Sequence, residues 1–234
     1  MSRSRRELAM PPGSLKAVVF DLDGTLIDSA PDLHAALNRL LAGRRRPALT
    51  IEQVQPMFGD GAMKLVERAF AATGGEIAPT ELAAMTDAFL EDYEMNDAVL
   101  TRPFPGAAET LARLGGEGYA LAVCTNKPQA ATIRTLACMG LADYFQTVIG
   151  GDALAGVCKP DPRHLLAALG RLGVAATMTA MVGDNANDVA AARGAGMPVI
   201  LVTFGYSRVP AAELGADAVI GSFDELPPAL LALS

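Results

Sequence analysis

The amino-acid sequence predicts an α/β fold, with a doubly wound and mainly parallel β-sheet core and an inserted all-α cap domain. Three observations support this prediction. Short apolar runs alternate with helical patterns over most of the chain, each run is followed by Gly, Asp, Asn or Thr, and one long stretch holds helical patterns alone. A strand of a parallel sheet is buried on both faces, so it is expected to appear as a short, continuous apolar run.

Six apolar runs are predicted as strands because each is short and rich in Val, Ile or Phe. In chain order they are residues 17–20, 119–124, 145–149, 178–182, 199–202 and 218–220. The helices between them carry start and stop signals. Asp161 and Pro162 begin a helix that ends at Gly173, and Pro128 begins one that closes at Gly140.

The stretch from residue 30 to residue 99 has no strand pattern but three apolar stripes at helical spacing. The stripes are Leu33, Leu37, Leu40 and Leu41, then Met63, Val66 and Phe70, then Leu82, Met85, Phe89 and Tyr93. Thr50 and Gln53 have the spacing of a capping box. We therefore predict a helical cap domain at 30–99 that covers the strand ends as a lid, on a core domain made of 16–29 and 100–234.

Composition excludes several classes of protein. Hydrophobic residues make up 51% of the 234 residues, which favours a folded chain over a disordered one. The formal net charge of −7 makes a nucleic-acid partner improbable, because such binding depends on Lys and Arg neutralising phosphates. Two histidines and three cysteines without CxxC spacing argue against a zinc site and for a reducing compartment.

Residues 1–15 are expected to form a disordered leader, and Met10 is an alternative start. The leader has basic residues but no apolar stretch, so it is not expected to act as a secretory signal, and no segment is long and apolar enough to span a membrane. We expect a cytoplasmic monomer or homodimer that acts on a small molecule and binds neither membrane nor nucleic acid.

The first strand is followed by Asp21 and Asp23, which are two residues apart and so point to the same side. Two carboxylates this close repel each other unless a cation bridges them or one of them holds a proton. Mg²⁺ meets the first condition with oxygen ligands. Gly24 lets the chain turn sharply and is counted among the candidate substrate-binding residues.

Three further segments follow later strands or loops. Thr125 and Asn126 offer a hydroxyl and a backbone N–H to a phosphoryl oxygen, near the start of a helix. Lys159 follows a Gly-rich loop, from which its charge offsets a phosphoryl group. Asp184 is a candidate metal ligand, and Asp188, one helical turn later, is a candidate partner for metal-bound water or for Lys159.

In their order along the chain, these segments resemble the four motifs of the haloacid dehalogenase superfamily. The resemblance runs from about residue 16 to the C-terminus, and the predicted cap resembles the superfamily's α-helical cap. Within it, the segments 203–206 and 215–220 resemble the phosphoglycolate phosphatases. Asn185 and Ala186 depart from the Ser-Arg pair of that group.

The resemblance implies a role for each matching residue. Asp21 is the implied nucleophile and Mg²⁺ ligand, and Asp23 the general acid and base that also contacts the metal through its backbone carbonyl. Thr125 and Asn126 hold the phosphoryl group, Lys159 neutralises it, and Asp184 completes the metal site. The acid at position 23 points to phosphate esters, because the dehalogenases and the phosphonate-cleaving members lack it.

The function predicted on this basis is Mg²⁺-dependent hydrolysis of a phosphate monoester, most simply 2-phosphoglycolate, through an aspartyl-phosphate. A sugar-phosphate phosphatase and a phosphosugar mutase of the same superfamily remain alternatives. A regulator that binds phosphorylated metabolites without turnover is a third, from a different class of protein. In the cap, Gly59, Lys64 and Arg68 are weaker candidates for binding a substrate carboxylate.

Overall fold

A computed structural model describes residues 14–96 and 98–234. The predicted leader lies outside the described residues, except for Ser14 and Leu15. The chain forms a six-stranded parallel sheet, and its strands are β1 (Ala17–Phe20), β4 (Ala120–Cys124), β5 (Thr147–Ile149), β6 (Thr179–Gly183), β7 (Val199–Val202) and β8 (Ala218–Ile220). Their order in the sheet is β5-β4-β1-β6-β7-β8, with β1 between β4 and β6.

Five helices of the described chain accompany this sheet: α5 (Ala107–Gly116), α6 (Gln129–Cys138), α7 (Pro162–Leu172), α8 (Ala186–Ala195) and α9 (Leu226–Ala232). A separate pair of two-residue antiparallel strands, β2 (Ile27–Asp28) and β3 (Arg102–Pro103), joins the two points where the chain leaves and re-enters the core. The doubly wound fold predicted from the sequence is confirmed.

The predicted strands agree with the observed ones to within two residues. Residues 17–20, 199–202 and 218–220 were predicted with their observed limits. At the other three strands the first residues are drawn into turns. The N–H of Tyr119 donates to Leu114 O at 3.0 Å, that of Phe145 to Ala142 O at 3.3 Å, and that of Met178 to Ala175 O at 3.0 Å, so none of them starts a strand.

Side chains of the central strands alternate between two hydrophobic layers, as the pleat requires. Val18 and Phe20 of β1 belong to the layer that includes Leu111 of α5 and Leu230 of α9. Val19 faces the other layer, which contains leucines of α7 and alanines of α8. Helices therefore cover both faces, and the carboxyl-terminal edge of the sheet is the part left for a site.

Residues 30–95 form four helices and a third hydrophobic cluster that includes Leu37, Val66, Phe70 and Phe89. The helices are α1 (Ala30–Gly43), α2 (Ile51–Val54), α3 (Ala62–Gly74) and α4 (Pro79–Met95). We call these helices and the loops between them the cap. Its limits as a domain, residues 30–99, stay a prediction.

Local signals in the cap act as expected. The N–H of Thr50 donates to Gln53 Oε1 at 2.8 Å, which is the reciprocal half of a capping box. At the base of the cap, the buried carboxylate of Asp32 accepts from the N–H of Leu100 and from the N–H and hydroxyl of Thr101, at 2.7 to 3.0 Å. Within the described ranges, no helix has the length and apolar character needed to cross a membrane.

Candidate active site

The candidate site lies where β1, β4 and β6 end side by side. Phe20 at the end of β1 is paired with Val123 of β4 and with Val182 of β6. Asp21 continues this pairing, since its N–H donates to Val182 O at 2.9 Å. The residues that follow the three strands are therefore brought together by the sheet itself.

The turn after Asp21 depends on glycine. Gly24 has a φ of +86°, and a Cβ at this position would lie 2.5 Å from Asp184 Oδ2. Only glycine accepts this backbone angle without strain and lets the turn pass so close to a carboxylate. Gly24 therefore sets the distance between the loop after β1 and the loop after β6.

Lys159 is the buried cation at the centre of the site. Its Nζ lies 2.8 Å from Asp21 Oδ1 and 2.6 Å from Asp188 Oδ1, and its side chain is only 2% exposed. Burial acts to lower the pKa of Lys159, but the carboxylates of Asp188 and Asp21 outweigh it, so the pKa is raised and the ammonium stays protonated. Lys159 thus brings a permanent positive charge to Asp21.

Asp188 also organises the loop after β6. Its Oδ2 accepts from the N–H groups of Asp184 and Asn185 at 3.1 and 3.2 Å, at the start of α8. The Asn185 side chain forms a capping box with Asp188 at the third position of α8, and it also accepts from the N–H of Asn187 at 2.9 Å. One carboxylate therefore holds both the lysine and the loop that carries Asp184.

Asp184 is buried and accepts two hydrogen bonds, from Tyr206 N–H and from the Asn185 amide, each at 2.7 Å. Burial and the nearby charges of Asp188 and Asp21 raise the pKa of Asp184 to about 8. Burial likewise raises the pKa of Asp21, against the lowering effect of the Lys159 ammonium. Both shifts show that negative charge is costly at this point.

The carboxylates of the site fit a divalent cation. Oxygens of Asp21, Asp184 and Asp188 all lie within 4.8 Å of one another, and all three residues are buried. Asp21 Oδ1 accepts no hydrogen bond from the described residues, despite its ion-pair contact with Lys159. An all-oxygen donor set with more negative charge than one lysine balances is suited to a hard cation such as Mg²⁺ or Ca²⁺.

Thr125 and Asn126 follow β4 as predicted, and Thr125 is buried. The side chain of Asn126 binds the backbone of Lys159 and of Gly59. Its Oδ1 accepts from Lys159 N–H at 2.9 Å, and its Nδ2 donates to Lys159 O at 2.9 Å and to Gly59 O at 3.1 Å. Both amide hydrogens of this side chain then have acceptors. The predicted phosphoryl contact of Asn126 is assigned to its backbone N–H, and it stays a prediction.

A cavity of about 80 Å³ lies between the strand ends and the cap. Its polar side includes Asp21, Asp23, Thr125, Lys159 and Asp184, and Gly59 also lines it. The cap contributes an apolar wall, formed by Leu33, Phe58, Ala62, Leu65, Phe89 and Leu90. The small volume suits a substrate of a few heavy atoms.

Lys64 and Arg68 do not line this cavity. Lys64 is 56% exposed and pairs with Glu67 at 2.6 Å, while Arg68 contacts Asp60 and donates to Met57 O at 2.9 Å. The sequence expectation that these two side chains face a substrate carboxylate is corrected here. They share a helix face, but that face is turned to solvent and to the loop before α3.

The sequence reasoning gave no role to Lys127. This residue lines the cavity with its side chain 4% exposed, and its Nζ lies 2.6 Å from the Tyr93 hydroxyl and 3.5 Å from Asp23 Oδ1. The only signal in the sequence was its position directly after Thr125 and Asn126. Its burial depends on Tyr93, which comes from α4 of the cap.

The chain matches the haloacid dehalogenase-like hydrolases over residues 15–196. The acidic residues and the buried lysine lie at the carboxyl edge of the parallel sheet, which is where open α/β sheets bind their ligands. The chain belongs to the haloacid dehalogenase-like hydrolase family.

Curated relatives and a solved structure are similar over nearly the whole chain. A phosphoglycolate phosphatase of Caulobacter vibrioides is 43% identical, over 92% of this chain and 91% of the relative. One of Rhodospirillum rubrum is 45% identical, over 90% and 89%. The crystal structure of a predicted phosphoglycolate phosphatase from Haemophilus somnus superimposes with a TM-score of 0.86 at 32% identity, covering 92% of this chain and 97% of that one.

Proposed function

We propose that the protein is a Mg²⁺-dependent phosphate monoester hydrolase whose substrate is 2-phosphoglycolate and whose nucleophile is Asp21. The observation that carries the proposal is the buried contact of Asp21 with Lys159, at 2.8 Å, in a small cavity that Asp184 also lines. The names of the Caulobacter and Rhodospirillum relatives support the choice of substrate.

In the proposed first step, a carboxylate oxygen of Asp21 attacks phosphorus and forms an aspartyl-phosphate. Lys159, held by Asp188 at 2.6 Å, offsets the charge of the phosphoryl oxygens. The leaving alkoxide takes a proton from Asp23, which follows Asp21 by two residues and lines the same cavity.

In the proposed second step, water attacks the aspartyl-phosphate and gives a proton to Asp23, now a carboxylate. The products are inorganic phosphate, glycolate and the restored Asp21 carboxylate. Asp23 has a side chain 21% exposed, which leaves it accessible to both the leaving group and water.

Asp21 and Asp184 are the residues that would hold Mg²⁺, with Asp188 keeping the Asp184 loop and Lys159 in place. When bound, the ion supplies positive charge that lowers the repulsion between the Asp21 carboxylate and the anionic phosphate ester. Without it, three buried carboxyl groups share one lysine, and each of them that ionises repels a further anion.

The test is phosphate release from 2-phosphoglycolate, a hexose phosphate and p-nitrophenyl phosphate, with Mg²⁺ and after exhaustive chelation. We expect turnover that requires Mg²⁺ and is fastest with 2-phosphoglycolate. Asp21→Asn, which cannot form the aspartyl-phosphate, is expected to release none. Binding of these esters without turnover would identify a regulator instead, and a preference for the hexose phosphate would reject the proposed substrate.

A further inference from the structure

Lys127 is a buried cation for which the two proposed reaction steps have no use. It follows β4 directly, lines the cavity, and has a side chain 4% exposed. In the described part of the chain, Lys127 and Lys159 are the two cationic residues of the cavity lining. Burying an ammonium group costs free energy unless an anion or several hydrogen-bond acceptors compensate it.

The two lysines are compensated very differently. Lys159 contacts two carboxylates at 2.6 and 2.8 Å. Among the described residues, the carboxylate nearest to Lys127 Nζ is that of Asp23, at 3.5 Å, and the shortest contact of Nζ is with the Tyr93 hydroxyl, at 2.6 Å. Its Nζ also lies 4.3 Å from the centre of the Tyr93 ring, a cation–π contact. Lys127 therefore retains positive charge that a second anion can use.

The position of Lys127 indicates which part of a substrate that anion belongs to. Asp23 is the proposed proton donor to the leaving oxygen, so it marks the side of the cavity where the organic part of the ester lies. Lys127 contacts Asp23 on that side, while Lys159 contacts Asp21 on the phosphoryl side. In 2-phosphoglycolate, the carboxylate is separated from the leaving oxygen by one carbon.

We propose that Lys127 binds the carboxylate of the substrate and so determines specificity for phosphate esters with a second anionic group close to the phosphate. This assignment rests on the proposed function. Tyr93 holds the ammonium in position from α4. Recognition of the organic part of the substrate therefore depends on Lys127 at the sheet edge and on Tyr93 of the cap, and it requires that these two residues are in contact.

Lys127 also lies close enough to Asp23 to influence its proton transfer, and the experiment must separate the two roles. Ethylene glycol monophosphate is a suitable comparison, because it has an alkyl leaving oxygen like that of 2-phosphoglycolate but no carboxylate. Both substrates need the proton from Asp23. A residue that acts only through Asp23 affects both equally, whereas a carboxylate-binding residue affects one.

The measurement is the specificity ratio, kcat/KM for 2-phosphoglycolate divided by kcat/KM for ethylene glycol monophosphate. We expect Lys127→Met to lower this ratio by about 10²-fold, the order of loss for removing one partner of a buried ion pair. Lys127→Arg is expected to recover part of it. Lys64→Met, the same change at an exposed lysine of the cap, is expected to leave the ratio as in the wild type.

Thermal denaturation of each variant establishes that it is folded, and Lys127→Gln, which keeps a donor for Tyr93, replaces Lys127→Met if the latter does not fold. An unchanged ratio in the charge-free variant overturns the assignment of Lys127 while leaving the proposed function intact. If the wild type itself does not hydrolyse 2-phosphoglycolate, the proposed function fails first.

Discussion

Asp23 differs from the other acids of the site in its surroundings. Asp21, Asp184 and Asp188 are buried and held by short contacts, whereas the side chain of Asp23 is 21% exposed and its nearest cation, Lys127, is at 3.5 Å. A carboxyl group that exchanges protons with a leaving group and with water needs this freedom. We therefore expect its role to be visible in how a substitution depends on the leaving group.

Asp23→Asn is expected to stall on 2-phosphoglycolate, because its alkoxide does not depart without a proton. With p-nitrophenyl phosphate, the phenolate leaves unaided, so a burst of nitrophenol equal to the enzyme concentration should precede a slow phase. Loss of general acid–base catalysis is worth about 10²- to 10⁴-fold in rate. Stopped-flow absorbance measures the burst. Equal losses on both substrates without a burst, with Mg²⁺ still bound, would exclude Asp23 as the proton carrier.

His164 is a buried residue with a consequence for stability. Its Nε2 donates to Gly150 O at 3.0 Å, and its Nδ1 has no hydrogen-bond partner among the described residues. Burial lowers the pKa of His164 below its ordinary value near 6.5. The unfolded chain then binds a proton that the folded chain does not, so stability is lost as the pH falls below about 6.5.

We expect the free energy of unfolding to contain a His164 contribution that falls by up to about 1.4 kcal/mol per pH unit below pH ~6.5. The measurement is urea denaturation of the wild type and of His164→Gln from pH 7.5 to pH 5.5. The difference between the two should shrink as the pH falls, because the variant has no imidazole to protonate. A difference that is constant with pH would show that folding does not shift the pKa of His164.

At the scale of elements, the loop before α3 connects the cap to the strand ends. Gly59 O accepts from Asn126 Nδ2 at 3.1 Å and from Asn187 Nδ2 at 3.2 Å, and Asp60 accepts from Asn187 Nδ2 at 2.6 Å. Asp60 also pairs with Arg68. The residues that close the cavity are therefore tied to β4 and α8 by a few polar contacts, which are weak enough to break for substrate entry.

Asp60→Ala is expected to favour a state in which the loop before α3 has separated from the strand ends. Because Asp60 is one-third exposed, the loss of global stability should stay below about 1 kcal/mol. The N–H groups at the start of α3 should exchange with deuterium faster, and kcat/KM should fall. Glu67→Ala, which removes the exposed partner of Lys64 on the same helix, is the control and should change neither. Unaltered exchange in Asp60→Ala would show that these contacts do not hold the cap closed.

At the scale of the whole molecule, folding assembles carboxylates that are far apart in the sequence. Asp21, Asp184 and Asp188 become buried together, and the net charge of the chain is already −7. Their mutual repulsion opposes folding and is relieved by a divalent cation that binds only the folded state. Metal binding and global stability are therefore expected to be linked.

Mg²⁺ is expected to raise the midpoint temperature of thermal unfolding. At a Mg²⁺ concentration one hundred times the dissociation constant, the free energy of unfolding should increase by about 2.7 kcal/mol. After chelation, at a pH above about 8 where Asp184 is ionised, Asp184→Asn should be more stable than the wild type because one buried charge is gone. The variant should also lose most of the Mg²⁺ effect. Asp143→Asn, at an exposed position, is the matched control. Calorimetry with and without chelator measures both quantities, and an equal Mg²⁺ effect in Asp184→Asn would exclude this residue as a ligand.

The sequence by itself determined the class of fold, because burial on two faces leaves a local pattern that can be read without the structure. The apolar runs located all six strands of the parallel sheet, and the acids and the lysine that follow them were visible as candidates. Parallel strands end at the same edge, so Asp21 and Asp184 could be expected to meet before any distance was known. The two-residue strands β2 and β3 are too short to leave such a pattern.

Only the tertiary structure decided how the cap meets the core. Helical spacing showed that Lys64 and Arg68 share a face, but not that their helix turns this face away from the cavity. The sequence pattern also could not show that Asn126 binds the backbone of Lys159, or that Tyr93 contacts Lys127. These contacts join residues 33 and 34 positions apart, and a local pattern specifies which face is apolar but not which distant residue packs against it.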